Sequence, residues 1–304
     1  MTRYLNDIGE GGWLKAGIQG DAGSGKTYTA ISIAIGLRKH LGLDGPIAMF
    51  DTEGGGPYQS MRMREATGKL LLGHRGRALG DLLAMARECE ANGVSVLVVD
   101  SLTHIGQEIK ESYLAQVNES LRRQGKLERQ KLAFADWGVI QKAEQQWTNY
   151  YLNSPLHCIV CGRLGWDWAF EEIDGKKELI KTGSKMRSAG QFNFEPSLLL
   201  EMDRIQVRQD GKLTHDTKRV ATVIKDRFGA IDGKQFVNPT FEDFLPHIRL
   251  LTPGASAPVD TTTQTDLGIG EDGDAAWTRE RREREILCEE LSGELSAAYP
   301  SQSA

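Results

Sequence analysis

The stretch that begins at Trp13, WLKAGIQGDAGSGKTYTAISIAIGLRKHL, constrains this chain more than any other. WLKAGIQG reads as a β-strand, and KTYTAISIAIGLRKHL as a helix with an apolar stripe. Between them GDAGSGKT (Gly20, Asp21, Ala22, Gly23, Ser24, Gly25, Lys26 and Thr27) satisfies G-x-x-x-x-G-K-[ST], with Tyr28 next in line. Strand, glycine-rich turn and helix, in that order, are the context in which this spacing cradles a phosphate chain. Glycines let backbone N–H groups wrap the anion, and the helix N-terminus adds partial positive charge. Lys26 is then placed to reach the β- and γ-phosphates and Thr27 to ligate Mg²⁺, so ATP and Mg²⁺ are the expected ligands.

The same alternation continues. PIAMFDTE reads as a second strand, and ALGDLLAMARECEANG has apolar positions at helical spacing with a closing glycine. VSVLVVDS and PLHCIVCGR are continuous apolar runs of the kind buried on both sheet faces. A long helical region is expected from about Ile105 to Leu152, with a charged middle at LRRQGKLERQK. Beyond Arg163, hairpin-like segments turn at DGKK and QDGK, ending in PTFEDFLPHIRLL. The fold class is α/β: a mostly parallel central sheet, helices on both faces, and an antiparallel C-terminal extension. Residues 1–250 form this domain. Residues 251–274 have linker composition, and 275–304 are a charged tail with a helical pattern.

Charge and composition exclude several classes. The net charge of −5 is unevenly spread, with 11 acidic against 4 basic residues from Leu251 onward, so the preceding body is slightly basic. No apolar run approaches the roughly 20 residues that span a bilayer, and the first residues lack a secretory h-region. With only four cysteines, a disulfide scaffold is not expected and a reducing cytoplasm is. Cys158 and Cys161 form a CxxC, but without a second ligand pair they read as thiols on a buried strand.

A phosphate cradle of this type calls for a carboxylate at the end of a buried strand, and Asp100 of VLVVDS supplies it for the metal shell. Hydrolysis also needs a group that orients water. Glu53, in the glycine-rich turn after the second strand, opens onto the same crevice as the loop. GDAGSGKT, FDTEGG and VLVVDS, in this order, resemble the RecA/RadA recombinase core over residues 12–250. EPSLLLEM together with IKDRFGAIDGKQFVNPTFEDF is similar to phage-encoded short RecA-like ATPases associated with single-strand annealing. The resemblance implies a RecA-like P-loop NTPase fold, a host-cytoplasm location and a water-activating role for Glu53. It also implies that Lys225 and Arg227, a Lys-x-Arg pair at the end of a late strand, reach across a subunit boundary to the next protomer's ATP. Strand alternation would put both cations on one side and Asp226 on the other. Arg163 stands where the family commonly carries an amide that senses the γ-phosphate; a helix-capping role is the alternative.

The segment after Arg163 carries Trp166, Trp168 and Phe170, then Lys176, Lys177, Lys181, Lys185 and Arg187. Aromatics that stack on bases beside cations that track phosphates are what a single-strand groove requires. Nearby Glu171, Glu172 and Asp174 dilute the charge, and paired tryptophans also pack hairpins. LRRQGKLERQK is a second basic candidate, against a solvated helix face. The expected partners are single-stranded DNA, further copies of the chain in a ring or filament, and a single-strand-binding or annealing protein; no membrane is expected. Two other readings fit the same motifs: a DnaB-like ring translocase, and a nucleotide-gated module whose acidic tail recruits a DNA-binding partner.

Overall fold

The structure is a computed structural model, and it describes residues 12–173, 176–187, 192, 195–209 and 212–252. The first half alternates strand and helix: β1 (Lys15–Gly20), α1 (Lys26–His40), β2 (Ile47–Asp51), α2 (Gly56–Thr67), β3 (Leu72–Arg75), α3 (Leu79–Ala91) and β4 (Val96–Asp100). Two helices, α4 (Leu102–Arg123) and α5 (Asp136–Asn153), lead to β5 (His157–Ile173) and β6 (Lys176–Met186). The domain closes with β7 (Leu198–Gln209), β8 (Lys212–Asp226), β9 (Gln235–Val237) and α6 (Phe241–Ile248).

The strands order as β3-β2-β4-β5-β1-β7-β8-β9. Neighbours from β3 through β7 are parallel; β8 and β9 add an antiparallel edge, and β6 pairs antiparallel with the distal half of β5. This is the α/β architecture expected from the sequence. Strand side chains alternate between two cores. Ile18, Val96, Val98, Ile159, Cys161, Leu198 and Leu200 join α1, α2 and α6 on one face. Leu97, Val99, Cys158, Val160 and Leu199 join α3, α4 and α5 on the other. Both faces are covered, so central strands read as unbroken apolar runs, and each fully buried Val, Leu or Ile contributes roughly 1.5–3 kcal/mol.

Cys158 and Cys161 are buried free thiols on β5, facing opposite cores, and so could not close on one metal ion. Among the described residues, no helix is long and apolar enough to cross a membrane. Leu251 still packs in the first core. The remaining tail, and with it the expected linker and terminal helix, lies outside the described residues.

Two details differ from the sequence reading, and one agrees with its solvated-face alternative for LRRQGKLERQK. The helical region between Ile105 and Leu152 is two helices, because α4 ends near Gly125 in the left-handed region (φ 68°) and a loop precedes α5. Within LRRQGKLERQK, Arg122 pairs with Glu119 and Glu128, and Arg123 with Glu119, all solvent-exposed. Finally, Arg163 does not end its strand. β5 continues through it for ten further residues to Ile173, paired with β6.

Candidate functional site at the C-terminal edge of the parallel strands

In the sheet register Gly20 lies opposite Arg163, and Asp51 opposite Asp100, which in turn is opposite Cys161. The parallel strands therefore deliver the glycine-rich loop, Asp100, Glu53 and Arg163 to one edge. The loop is shaped by close approach. A Cβ on Gly20 would collide with the Met202 carbonyl oxygen and sit 2.7 Å from Ser24 Oγ. Gly25, the N-cap of α1, takes φ 101°, a conformation that side-chain-bearing residues rarely adopt.

Among the described residues no side chain caps α1, so the first N–H groups of this 15-residue helix are left open toward the loop. Lys26 is buried and donates to the Asp21 carbonyl oxygen at 2.9 Å, curling back over the loop. Ser24 Oγ is buried and, among the described residues, has no hydrogen-bond partner. Open helix N–H groups, a buried ammonium and an orphaned hydroxyl, around a loop whose first glycine has no room for a Cβ, fit a polyphosphate. Tyr28 is further out. It is exposed, with the Arg62 guanidinium 3.7 Å from its ring centroid and donating to its carbonyl oxygen at 3.0 Å.

Thr27 Oγ1 donates to Asp100 Oδ2 at 2.5 Å, while Asp100 Oδ1 is buried without a partner among the described residues. Burial pushes the Asp100 carboxyl up to about 6, against the opposing pull of the Thr27 hydroxyl. A buried carboxylate with a free oxygen beside a threonine hydroxyl suits a divalent cation that also takes phosphate oxygens and water. Among the described residues no group of three or more His, Cys, Asp or Glu side chains forms a self-sufficient metal cage. A metal here would therefore depend on the bound phosphate.

Glu53 is held by its neighbours. Its Oε1 accepts from Ser101 Oγ at 3.2 Å and lies 3.5 Å from Arg163 Nε and 3.8 Å from His104 Nε2. His104 Nδ1 meets Thr52 Oγ1 at 2.9 Å, and Thr52 Oγ1 accepts from the Ser101 N–H at 2.7 Å. Burial lowers the His104 pKa; Glu53 opposes that shift. The turn carrying Glu53 is built by Asp51. Its Oδ1 accepts from the N–H groups of Glu53, Gly54 and Gly55 (2.6–3.1 Å), and its Oδ2 from that of Gly56 at 2.9 Å. Asp51, Thr52, Ser101 and His104 escaped the sequence reading. Only Asp51 left a signal there, since an Asp followed by glycines is an Asx-type turn.

Lys225 and Arg227 are not at this edge. β8 runs antiparallel to β7, placing Lys225 opposite Leu199 and Asp226 opposite Leu198, at the end of the sheet remote from Gly20. Asp226 turns inward as expected, accepting from the Phe228 and Ile231 N–H groups and meeting His247 Nδ1 at 2.7 Å. Lys225 is half-buried, its pKa lowered by burial and by neighbouring Arg227, which is exposed. Neither cation can serve its own chain's loop.

Trp166, Trp168, Lys176, Lys177, Lys181 and Lys185 all lie on the β5–β6 hairpin that continues from Arg163. Trp166, Lys185 and Arg187 are exposed, and the Arg187 N–H donates to the Arg163 carbonyl oxygen at 2.7 Å. The side chains of Trp168, Lys176, Lys177 and Lys181 lie outside the described residues.

No family model matches the sequence, and no curated protein matches it. Among solved structures the chain is similar to a KaiC-like protein from the hyperthermophilic archaeon Pyrococcus horikoshii, at 16% identity and a TM-score of 0.43, over 77% of this chain and 90% of that one.

Proposed function

We propose that this protein is a Mg²⁺-dependent ATPase that works as an oligomer on single-stranded DNA, assisting recombination or strand annealing. One observation carries the reading: Lys26, the Thr27–Asp100 pair and Glu53 converge on one sheet edge from three different strand–loop junctions. The loop backbone and Lys26 bind the phosphates. Thr27 and Asp100 hold the metal, which when bound neutralises phosphate charge. Glu53, steadied by Ser101, accepts the proton of the attacking water, and Arg163 lies alongside to meet charge on the transferred phosphate.

Lys225 and Arg227 act on the neighbouring protomer's nucleotide, a role supported by their distance from their own loop. The hairpin supplies the DNA contact. Trp166, Lys185 and Arg187 offer a stacking ring and two cations beside Arg163, so DNA and nucleotide would share one strand.

The test is phosphate release from Mg²⁺-ATP with and without single-stranded DNA, across a salt series and a protein dilution series. Expected are stimulation by DNA that fades with salt, and turnover per protomer that rises with protein concentration until Lys225→Ala or Arg227→Ala removes the rise. Turnover indifferent to DNA would remove the recombination reading. Strict proportionality to protein concentration would remove the action between subunits.

A further inference from the structure

β7 and β8 run on past the end of β1, and there Arg204 lies directly opposite Arg219. Both fall on the face that Met202 and Ala221 share with α1, two residues further along each strand. Arg204 Nη1 is 3.9 Å from where a Cβ would stand on Gly23, and the Arg219 side chain is 3.5 Å from the equivalent point on Gly25. The two guanidinium side chains thus flank the glycine-rich loop. The Arg219 backbone is pinned there by Asn238, whose Oδ1 accepts its N–H at 3.0 Å, and Arg219 Nη1 donates to Thr217 Oγ1 at 3.1 Å. Among the described residues, no carboxylate pairs with either guanidinium.

Like charges directly opposite on adjacent strands destabilise a sheet. An arrangement that sets two of them against a phosphate-binding loop suits an anion that both can reach. Sheet order says which part of the anion. Asp100, Glu53 and Arg163 come from β4, β2 and β5, on one side of β1; Arg204 and Arg219 come from β7 and β8, on the other. A triphosphate whose reacting end points to Glu53 leaves its opposite end toward the arginines.

We infer that Arg204 and Arg219 form a second cationic wall of the nucleotide site, binding the non-transferred phosphates of the same chain's nucleotide. The inference rests on the nucleotide reading above and adds two binding residues that no motif marks. Bidentate guanidinium–phosphate contacts to the part common to ADP and ATP strengthen both ligands alike.

The experiment is calorimetric titration of the full chain with Mg²⁺-ADP and with Mg²⁺-ATP, for the parent, Arg204→Ala/Arg219→Ala and Arg204→Lys/Arg219→Lys. The double alanine variant should bind both nucleotides at least tenfold more weakly, by the same factor, and the lysine variant should fall between it and the parent. Without nucleotide, the alanine variant should melt at or above the parent's temperature, which a merely structural role for these arginines would not give. Unchanged ADP affinity in a parent that binds ADP overturns this inference alone, as does a loss confined to ATP. A parent that binds neither nucleotide overturns the nucleotide reading and this one together.

Discussion

Lys15 opens β1 and Lys26 opens α1, at opposite ends of one strand and its loop; both are about 8% exposed, and they are buried in different ways. Lys15 Nζ donates to the Ser154 carbonyl oxygen, Ser154 Oγ and the Leu156 carbonyl oxygen, all within 2.9 Å, and lies over the Tyr151 ring. Burial lowers its pKa to about 8, yet every donor has a use. Among the described residues Lys26 has a single acceptor, the carbonyl oxygen of its own loop, amid orphaned Ser24 and Asp100 oxygens. A buried cation whose partners are all protein atoms holds a fold together. One left short of partners beside other unsatisfied groups suits a ligand that would complete them.

The largest effect that would sharpen this contrast lies at the loop end. Glu53→Gln should lower kcat roughly 10²–10⁴-fold while Mg²⁺-ATP affinity stays near the parent's, since the amide keeps the contact with Ser101 but cannot take a proton. At the other end, Lys15→Met should cost roughly 3–5 kcal/mol in urea denaturation, because buried acceptors lose their donor, with nucleotide affinity unchanged. If Lys15→Met abolished binding without loss of stability, the division of labour would be wrong.

The two ends should also answer pH with opposite slopes. His157, at the Lys15 end, accepts the Leu14 N–H at Nδ1, and burial lowers its pKa from 6.5 to about 4. The unfolded chain takes up this proton first, so the stabilisation is complete above pH 6.5 and lost as pH falls toward 4, roughly 3 kcal/mol in all. His157→Asn should flatten that limb in denaturation curves. Asp100 behaves in reverse. Its raised pKa makes a contribution present below about 3.8 and lost as pH rises through about 6, again roughly 3 kcal/mol. Asp100→Asn should therefore make the nucleotide-free protein more stable at pH 8, by somewhat less than that amount, while removing Mg²⁺-dependent turnover.

The loop, Asp100 and Glu53 were legible in the sequence because each sits at a junction where an apolar run meets glycine or a helix start. So was the sheet, whose strands are apolar on both faces. β3 was not, since four exposed residues at a sheet edge carry no pattern. The continuation of β5 through Arg163 was hidden by Gly162 and Gly165, which punctuate a strand without ending it. Arg204 and Arg219 were invisible for a deeper reason. They are 15 residues apart and meet the loop only through the β7–β8 register and the overrun of both strands past β1. His104 likewise reaches Glu53 only because α4 starts directly after β4.

Titrating Mg²⁺-ATP into the parent and into Lys26→Ala, alongside their nucleotide-free melting curves, goes straight to the contrast between the two lysines. Expected are saturable binding by the parent, a loss of about 100-fold or more in the variant, and melting temperatures that coincide. A variant that bound nucleotide like the parent would show that Lys26 grips no phosphate, and one that simply unfolded would make Lys26 a second Lys15; either result contradicts the contrast.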